Sequence, residues 1–228
     1  MARWTIFKQG VLEELPLQLG VFPFGVIYGI MAIESGLSPL QSFFLSSIIF
    51  GGASQILFVQ LVSSSTPVGI IISSVGAINS RHFLYGISMM EFLKHLSLSW
   101  RLLLAYLLTD EAYAVSIRKF IGEPNNQFLH YHLLGTGLTL FITWQIATLS
   151  GIMIGGNLPQ FLDLQFIIPL TFIAIVIPMI NSISIFCAAL SSGISALIFS
   201  NLDLNFWIII SAIVGLIIGA ITSRFDKK

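Results

Sequence analysis

The chain has 228 residues, with ten basic and ten acidic side chains, so its formal net charge is zero. Charged residues make up 9% of the chain, against roughly 25% in an ordinary soluble domain. With 56% hydrophobic residues and a mean hydropathy of +0.94, the composition excludes a soluble globular domain. It predicts an all-α polytopic helical membrane protein in contact with the lipid bilayer, folded as one transmembrane domain over residues 1–228.

The charges lie between apolar runs and form no basic block, which argues against a nucleic-acid partner. Cys187 is the single cysteine, so neither an internal disulfide nor a cysteine-based metal cluster is expected. The phosphate-binding Gly-x-x-x-x-Gly-Lys motif and the common hydrolase motifs are missing. We therefore expect no enzyme activity, no metal and no cofactor.

The first predicted span, Leu15–Ile33, follows a short polar segment, residues 1–14. Proline at position 23 lacks a backbone donor, so we expect this helix to break around Pro23–Gly29. In a bilayer a break is tolerated only against protein or a water-filled cavity. Broken helices often mark the binding site of a transporter. The alternative, compatible with the first, is a kinked helix whose glycines allow close packing.

The second predicted span is Leu40–Val62, and its centre is a patch of small residues that includes Gly51, Gly52 and Ser54. Gln55 lies four residues after Gly51, so the two share a helix face. A small-residue patch lets another backbone approach closely, and Gln55 can then bond to that backbone or to a substrate. Simple contact between helices is the alternative.

The third predicted span, Pro67–Met90, contains an arginine. A charge at that depth costs about 3 kcal/mol on insertion scales, so we expect Arg81 to have a buried partner. Arg81 and Tyr85 share one helix face, and Asn79 and His82 share another. His82 can titrate near neutral pH, although a histidine that is only hydrogen-bonded within the bundle is the plainer interpretation.

The fourth predicted span, Leu102–Ile117, is interrupted by Asp110 and Glu111. These neighbours point about 100° apart on a helix, so one can face a partner while the other faces a cavity. One of them is the nearest counter-charge for Arg81. The pair is expected either to lock the third and fourth helices together or to take part in transport, by carrying a proton or contacting a zwitterion.

Four further apolar runs complete the chain. Phe128–Ile154 is the fifth predicted span and Gln165–Ile180 the sixth. An Asn181–Ser182 break leads into the seventh, which ends at Ser200, and the eighth ends near Thr222. The chain is therefore expected to contain about eight transmembrane helices of roughly 20 residues each, or seven if the sixth and seventh form one.

An even number of spans places both termini on one side of the membrane. If Arg81 lies within the membrane, the opposite side has two basic residues, Lys94 and Arg101. The side of the termini has the rest: Arg3, Lys8, Arg118, Lys119, Arg224, Lys227 and Lys228. Because basic residues concentrate on the cytoplasmic side, both termini are predicted to be cytoplasmic.

Four motifs occur in the order and spacing of one known family. They are Phe24–Gly25 with Gly29, Gly51–Gln55, Asn79–Tyr85 and Thr109–Tyr113. With these motifs the chain resembles the large subunit of the AzlC/YgaZ branched-chain amino acid exporters. The resemblance extends over nearly the whole chain, while its specific motifs lie in the first half.

This resemblance implies a secondary transporter that exports hydrophobic amino acids across a prokaryotic inner membrane. Leucine, isoleucine and valine are the expected substrates, and methionine is a further candidate. The resemblance also implies a small, separately encoded membrane partner of the AzlD/YgaH type. We expect transport to be driven by the proton-motive force and to proceed by alternating access.

Two groups of residues are predicted to form the site. The substrate-binding group is Phe22, Pro23, Phe24, Gly25, Tyr28, Gly29, Gly51, Gly52, Ser54 and Gln55. The coupling or gating group is Asn79, Arg81, His82, Tyr85, Asp110 and Glu111. The main alternative is a membrane subunit that does not transport and instead scaffolds a complex, with these polar residues holding helices together. A membrane-embedded enzyme ranks third, because no nucleophile constellation is present.

Overall fold

The computed structural model describes residues 3–124, 126–156, 180, 182–200 and 207–226. Over these residues the chain is helical, with no β-strand, which confirms the all-α class. The helices are α1 Arg3–Glu14, α2 Gln18–Glu34, α3 Pro39–Ile48, α4 Gly52–Ser63, α5 Val68–Leu93, α6 Leu98–Leu107, α7 Asp110–Gly122, α8 Leu129–Gly155, α9 Ile183–Ser200 and α10 Trp207–Thr222. The predicted sixth span lies outside the described residues apart from Ile180.

Three helical segments among the described residues are long and apolar enough to cross a membrane. They are Arg3–Glu34, Leu129–Gly155 and Ile183–Ser200. The first combines α1, a 3₁₀ turn at Leu15–Leu17 and α2. Segments of this length and composition confirm a polytopic helical membrane protein. The total of seven or eight spans stays a prediction.

The interruption of the first helix lies earlier in the chain than the sequence predicted. It falls at the 3₁₀ turn Leu15–Leu17, where Pro16 takes one of the first positions of the turn. At its end the Gln18 N–H bonds to the Leu15 carbonyl. Pro23 lies inside α2, which continues without interruption to Glu34. The predicted break around Pro23–Gly29 is therefore wrong, because a helix can run through a proline when neighbouring groups satisfy its freed carbonyl.

The second and fourth predicted spans are each formed by two short helices. α3 ends at Ile48 and α4 begins at Gly52, while α6 ends at Leu107 and α7 begins at Asp110. A helix of 10–13 residues is about 15–20 Å long, so none of the four can cross a hydrocarbon core of about 30 Å alone. The sequence predicted the interruption at Asp110 but not the one before Gly52.

The described residues fall into two compact units. One comprises Met1–Ser65 and Ile78–Pro159, and the other comprises Thr66–Ala77 and Gln160–Lys228. In the first unit α2 packs closely on α8 through glycine. A methyl group on Gly25 would lie 2.7 Å from Ala147 Cβ, and one on Gly29 would clash with the Thr148 carbonyl and with Gly151. These pairs advance together along both helices, so α2 and α8 run in the same direction.

The same principle joins α1 to α8. A methyl group on Gly10 would collide with the His132 carbonyl, and one on Gly135 would collide with the Phe7 carbonyl. Helix α8 also contributes to an apolar core that it shares with α5, α6 and α7. The buried members of this core are Met89, Leu93, Leu104, Leu108, Ala112, Phe120, Leu129 and Leu133. Helix α8 is therefore the central element of the first unit.

In the second unit α9 packs against α10. A methyl group on Gly215 would lie 3.0 Å from the Ala188 carbonyl, so the two backbones approach closely there. After α10 the Asp226 carboxylate accepts a hydrogen bond from the Ser184 N–H at 3.0 Å. Hydrogen bonds from Ser184 hold the pKa of Asp226 below its ordinary value. Asp226 thus occupies free donors at the first turn of α9.

Replacing Gly29 with alanine is expected to destabilise the first unit. The added methyl group meets backbone atoms of α8 that cannot rotate away, and overpacking of this kind costs about 1–3 kcal/mol. Gly20→Ala is the matched control, because a methyl group at position 20 of the same helix meets nothing within 4 Å. Thermal unfolding in detergent should show a lower midpoint for Gly29→Ala alone, and equal midpoints would contradict this packing.

Candidate functional site

The break between α3 and α4 is built from serine, glycine and glutamine. Gln55, fully buried, donates its side-chain amide to the carbonyls of Ser46 and Ile49, at the end of α3. Ser54 donates to the Gly51 carbonyl at 2.7 Å. These bonds satisfy backbone groups that a broken helix would leave exposed to hydrocarbon. The Gln55 Oε1 atom remains buried and accepts no hydrogen bond.

The break between α6 and α7 places two acids at a helix start. Thr109 is extended, and Asp110 and Glu111 form the first turn of α7. Acidic groups are favoured there because free N–H groups and the helix dipole give the N-terminus a partial positive charge. The break also lies close to α3, since Tyr106 near the end of α6 donates its hydroxyl to the Ser47 carbonyl.

Helix α5 contacts both breaks through one polar segment. A methyl group on Gly51 would lie 3.3 Å from Asn79 Oδ1 and 3.7 Å from His82 Cε1. Two residues after Asn79, Arg81 Nη1 lies 2.7 Å from Asp110 Oδ2. One turn further on, the ring of Tyr85 stacks on that of Tyr113, with centroids 4.6 Å apart. Asn79 and His82 therefore face the first break, and Arg81 faces the second.

The Arg81–Asp110 ion pair expected from the sequence is present. Each side chain is 34% exposed, so the pair lies at the edge of a space rather than in a dry core. His82 is tied to its own helix, with its Nδ1 3.2 Å from the Asn79 carbonyl. The predicted coupling roles of these residues remain a hypothesis.

Aromatic rings of α2 and α8 meet beside the start of α4. The Trp144 ring makes an edge contact with Phe24 and stacks on Tyr28, at centroid distances of 5.8 and 6.3 Å. A methyl group on Gly52 would lie 2.6 Å from Trp144 Cη2. The Trp144 indole N–H is buried and donates to no partner. Gly52 therefore lets a large ring reach the first turn of α4.

The predicted substrate-binding residues do not all face this region. Tyr28 is fully buried and donates its hydroxyl to the Ser42 carbonyl at 2.8 Å, so its polar atom already has a structural partner. Phe22 is 39% exposed on α2. Gly25 and Gly29 are occupied by the packing of α2 on α8. The structure thus brings together Phe24, Gly51, Gly52, Ser54 and Gln55, with Asn79 and His82 opposite.

Several members of this region had no signal in the sequence analysis. Phe50 lies within the first break, and its ring centroid is 6.0 Å from that of Tyr106 and 5.2 Å from that of Phe141. Two side-chain hydrogen bonds also join α3 to α8, one between Ser46 and Thr148 and one from Ser47 to Gln145. Isolated aromatic and serine residues are common in apolar helices, so these residues carried no specific signal in the sequence.

Buried polar atoms without partners mark the interior of the first unit. Among the described residues, six of them are side-chain oxygens that can accept a hydrogen bond: Glu14 Oε2, Gln18 Oε1, Gln55 Oε1, Asn79 Oδ1, Thr109 Oγ1 and Asp110 Oδ1. An unpaired buried acceptor costs about 1–3 kcal/mol, so such atoms point to a ligand, an ion or water. The interior is therefore rich in acceptors and suited to a cationic or hydrogen-donating group. Glu14 was missed because it precedes the predicted span Leu15–Ile33, and Gln18 was missed because a single glutamine near the start of that span carried no signal.

A second polar chain ties α1, α7 and α8 together. The fully buried His132 lies 3.0 Å from Glu13 Oε2 and 3.4 Å from Ser116 Oγ, which lies 3.1 Å from Thr136 Oγ1. At the end of α7, Glu123 pairs with Lys119 at 2.5 Å. Hydrogen bonds from Lys119 and Asn126 hold the pKa of Glu123 below its ordinary value. We assign both groups a structural role.

Fold and site together define a class: a helical membrane protein in which one polar helix contacts two broken helices. Residues 16–158 match the family described as AzlC protein. The chain belongs to the AzlC family, and it is a membrane protein.

Named relatives extend this assignment. The chain is 30% identical to the inner membrane protein YgaZ of Escherichia coli over 68% of this chain. The match covers 63% of YgaZ, which is less than two thirds of the length of that relative. It is 29% identical to an uncharacterized membrane protein of Archaeoglobus fulgidus, over 100% of this chain and 99% of the relative. It is 24% identical to the branched-chain amino acid transport protein AzlC of Bacillus subtilis, over 76% and 68% of the two chains. No solved structure matches the chain.

Removing one partner of the Arg81–Asp110 pair is expected to destabilise the fold more than removing both charges. Arg81→Gln leaves the Asp110 carboxylate without its cation, whereas the double variant Arg81→Gln with Asp110→Asn leaves two neutral amides that can bond to each other. Because both groups are one-third exposed, we expect a difference of about 1–2 kcal/mol, below that of a fully buried pair. Thermal unfolding of the three variants measures it, and additive losses would contradict the pairing.

Proposed function

We propose that the chain is a secondary transporter that exports branched-chain amino acids across a prokaryotic inner membrane. Leucine, isoleucine and valine are the proposed substrates, with methionine as a further candidate, and the proton-motive force supplies the energy. Membership of the AzlC family and the transport name of the Bacillus relative support this proposal. The printed name of YgaZ supports the inner membrane as the location.

The observation that supports the proposal best is the pairing of two broken helices with the polar segment of α5. Helix α4 begins without a side-chain cap, so the N–H groups of its first turn are available to a carboxylate. Gln55 Oε1 and Asn79 Oδ1, both buried and unpaired, flank the same break and suit an ammonium group. One break thus offers groups of both kinds needed by the two ends of a zwitterionic amino acid.

The apolar part of the substrate also has neighbours at this break. Phe24 and Trp144 lie against Gly52, and Phe50 contacts Tyr106 and Phe141. Aromatic surfaces of this kind accept a branched aliphatic side chain and contribute through the area they bury. In this proposal Arg81 and Asp110 form the gate, because their pair connects α5 to the second broken helix.

We further propose a small AzlD/YgaH-type membrane partner and cytoplasmic termini. The seven basic residues on the side of the termini support the orientation through the positive-inside rule. Reporter enzymes fused after Lys228 check it: a reporter active only in the cytoplasm should be active, and activity of a periplasmic reporter would contradict the orientation.

Purified protein in proteoliposomes should exchange labelled leucine for internal leucine, and excess valine should compete. Leucine accumulation should follow an imposed pH gradient, and addition of the small partner should increase it. Absence of exchange in folded protein, with and without the partner, would contradict transport and favour a scaffold subunit. If leucine is transported only when the small partner is added to this chain, the two chains act together.

Arg81→Gln and Asp110→Asn are each expected to abolish leucine export while leaving membrane insertion intact, because each removes one half of the proposed gate. Glu91→Gln is the matched control, since Glu91 forms an exposed ion pair with Lys94 three residues away on the same helix end. Export assays and quantification of the inserted protein separate function from folding. Leucine export at the wild-type rate by both variants would contradict the gating role.

A further inference from the structure

The structure places a buried acid, Glu14, where no function has been assigned. Glu14 is the last residue of α1 and is fully buried, although it is followed at once by the 3₁₀ turn Leu15–Leu17. Burying an ionised carboxylate away from water costs several kcal/mol unless a cation or several donors compensate it. Among the described residues Glu14 belongs to none of the ion pairs.

The hydrogen bonds of Glu14 leave one oxygen free. The Gln18 side-chain amide donates to Glu14 Oε1 at 3.0 Å and to the Glu14 backbone carbonyl at 3.2 Å. The second bond replaces the helical bond to the Glu14 carbonyl, because the Gln18 N–H turns to Leu15 instead. Glu14 Oε2 and Gln18 Oε1 are both buried and unpaired. A proton bound to Glu14 Oε2 would turn one of these two acceptors into a hydrogen-bond donor.

The charges around Glu14 also favour a proton. On α7, Glu111 lies close enough to repel a charged Glu14. On α8, His132 is already bonded to Glu13 and Ser116. The Arg81 guanidinium is paired with Asp110. The His132 and Arg81 side chains thus already have acidic partners, and none of the ion pairs of the described residues includes Glu14.

A groove lies beside the neighbouring turns. This groove of about 540 Å³ runs between α1 and α7 and is lined by Gln9, Glu13, Leu17, Ala114, Val115, Arg118 and Lys119. Glu13 and Leu17 lie on either side of Glu14 in sequence, and Val115 lies one helical turn after Glu111. The groove thus reaches the backbone turns of both acids while the Glu14 side chain stays buried.

We infer that Glu14 is a proton-binding site that couples leucine export to proton movement, separate from the Arg81–Asp110 gate. This inference rests on the proposed transport function. In each cycle the carboxylate takes one proton from water on one side of the membrane and becomes a neutral acid. It later releases that proton to water on the other side and returns to the carboxylate. Gln18 holds the carboxyl group in place through both steps.

Glu14→Gln tests the inference, because glutamine has the shape of the protonated acid and can keep its bond to Gln18. The variant should lose leucine accumulation driven by a pH gradient and lose proton movement coupled to leucine, followed with a pH-sensitive dye inside the vesicles. It should retain leucine exchange at equal pH, because exchange needs no net proton transfer. Glu14→Asp should recover part of the gradient-driven transport.

Glu34→Gln is the matched control, since Glu34 is an exposed acid at the far end of α2, and it should behave as the wild type. Gradient-driven accumulation that persists in Glu14→Gln would overturn the inference. Loss of exchange together with gradient-driven transport would also overturn it, because Glu14 would then be needed for the fold or for substrate. If the wild type itself shows no exchange, the proposed function fails, independently of Glu14.

Discussion

Close contact between α2 and α8 is the constraint on which the rest of the first unit depends. Glycines at positions 25, 29 and 151 let the two backbones meet without intervening side chains. In lipid, where apolar surfaces gain little from meeting each other, contact of this kind is a main source of helix association. α8 then serves as the surface for α1, α3, α6 and α7. Both broken helices therefore contact the same long helix.

The broken helices follow from the need to satisfy backbone groups within the bilayer. At the first break, Gln55 and Tyr106 take carbonyls of α3 that the helix no longer bonds. At the second, Asp110 and Glu111 occupy the positive end of α7. Polar groups that first serve to complete a broken helix thereby gather in one region. Those left unpaired, such as Asn79 Oδ1, are the ones that we propose for substrate binding.

The two acidic centres differ in what compensates them. Asp110 forms an ion pair with the Arg81 guanidinium, and both side chains are partly exposed. Such a position suits the proposed gate, because the pair can separate without leaving a charge in a dry core. Glu14 has an amide on one oxygen and nothing on the other, in a fully buried position. The first acid thus has a cation beside it, whereas the second has no ion-pair partner among the described residues. Two acids in one unit can therefore perform separate tasks.

The sequence by itself determined the helical membrane class, the family motifs and the Arg81–Asp110 pair, because a lone charge in an apolar run needs a counter-charge nearby. It predicted the interruption at Asp110 because two adjacent acids stand inside an apolar run. It placed the first-helix break at Pro23, whereas the break lies at Leu15–Leu17. Only the tertiary structure decided which polar residues stay unpaired and that Glu14 is buried. Burial and pairing depend on contacts with α7 and α8, far away in sequence, which local patterns do not encode.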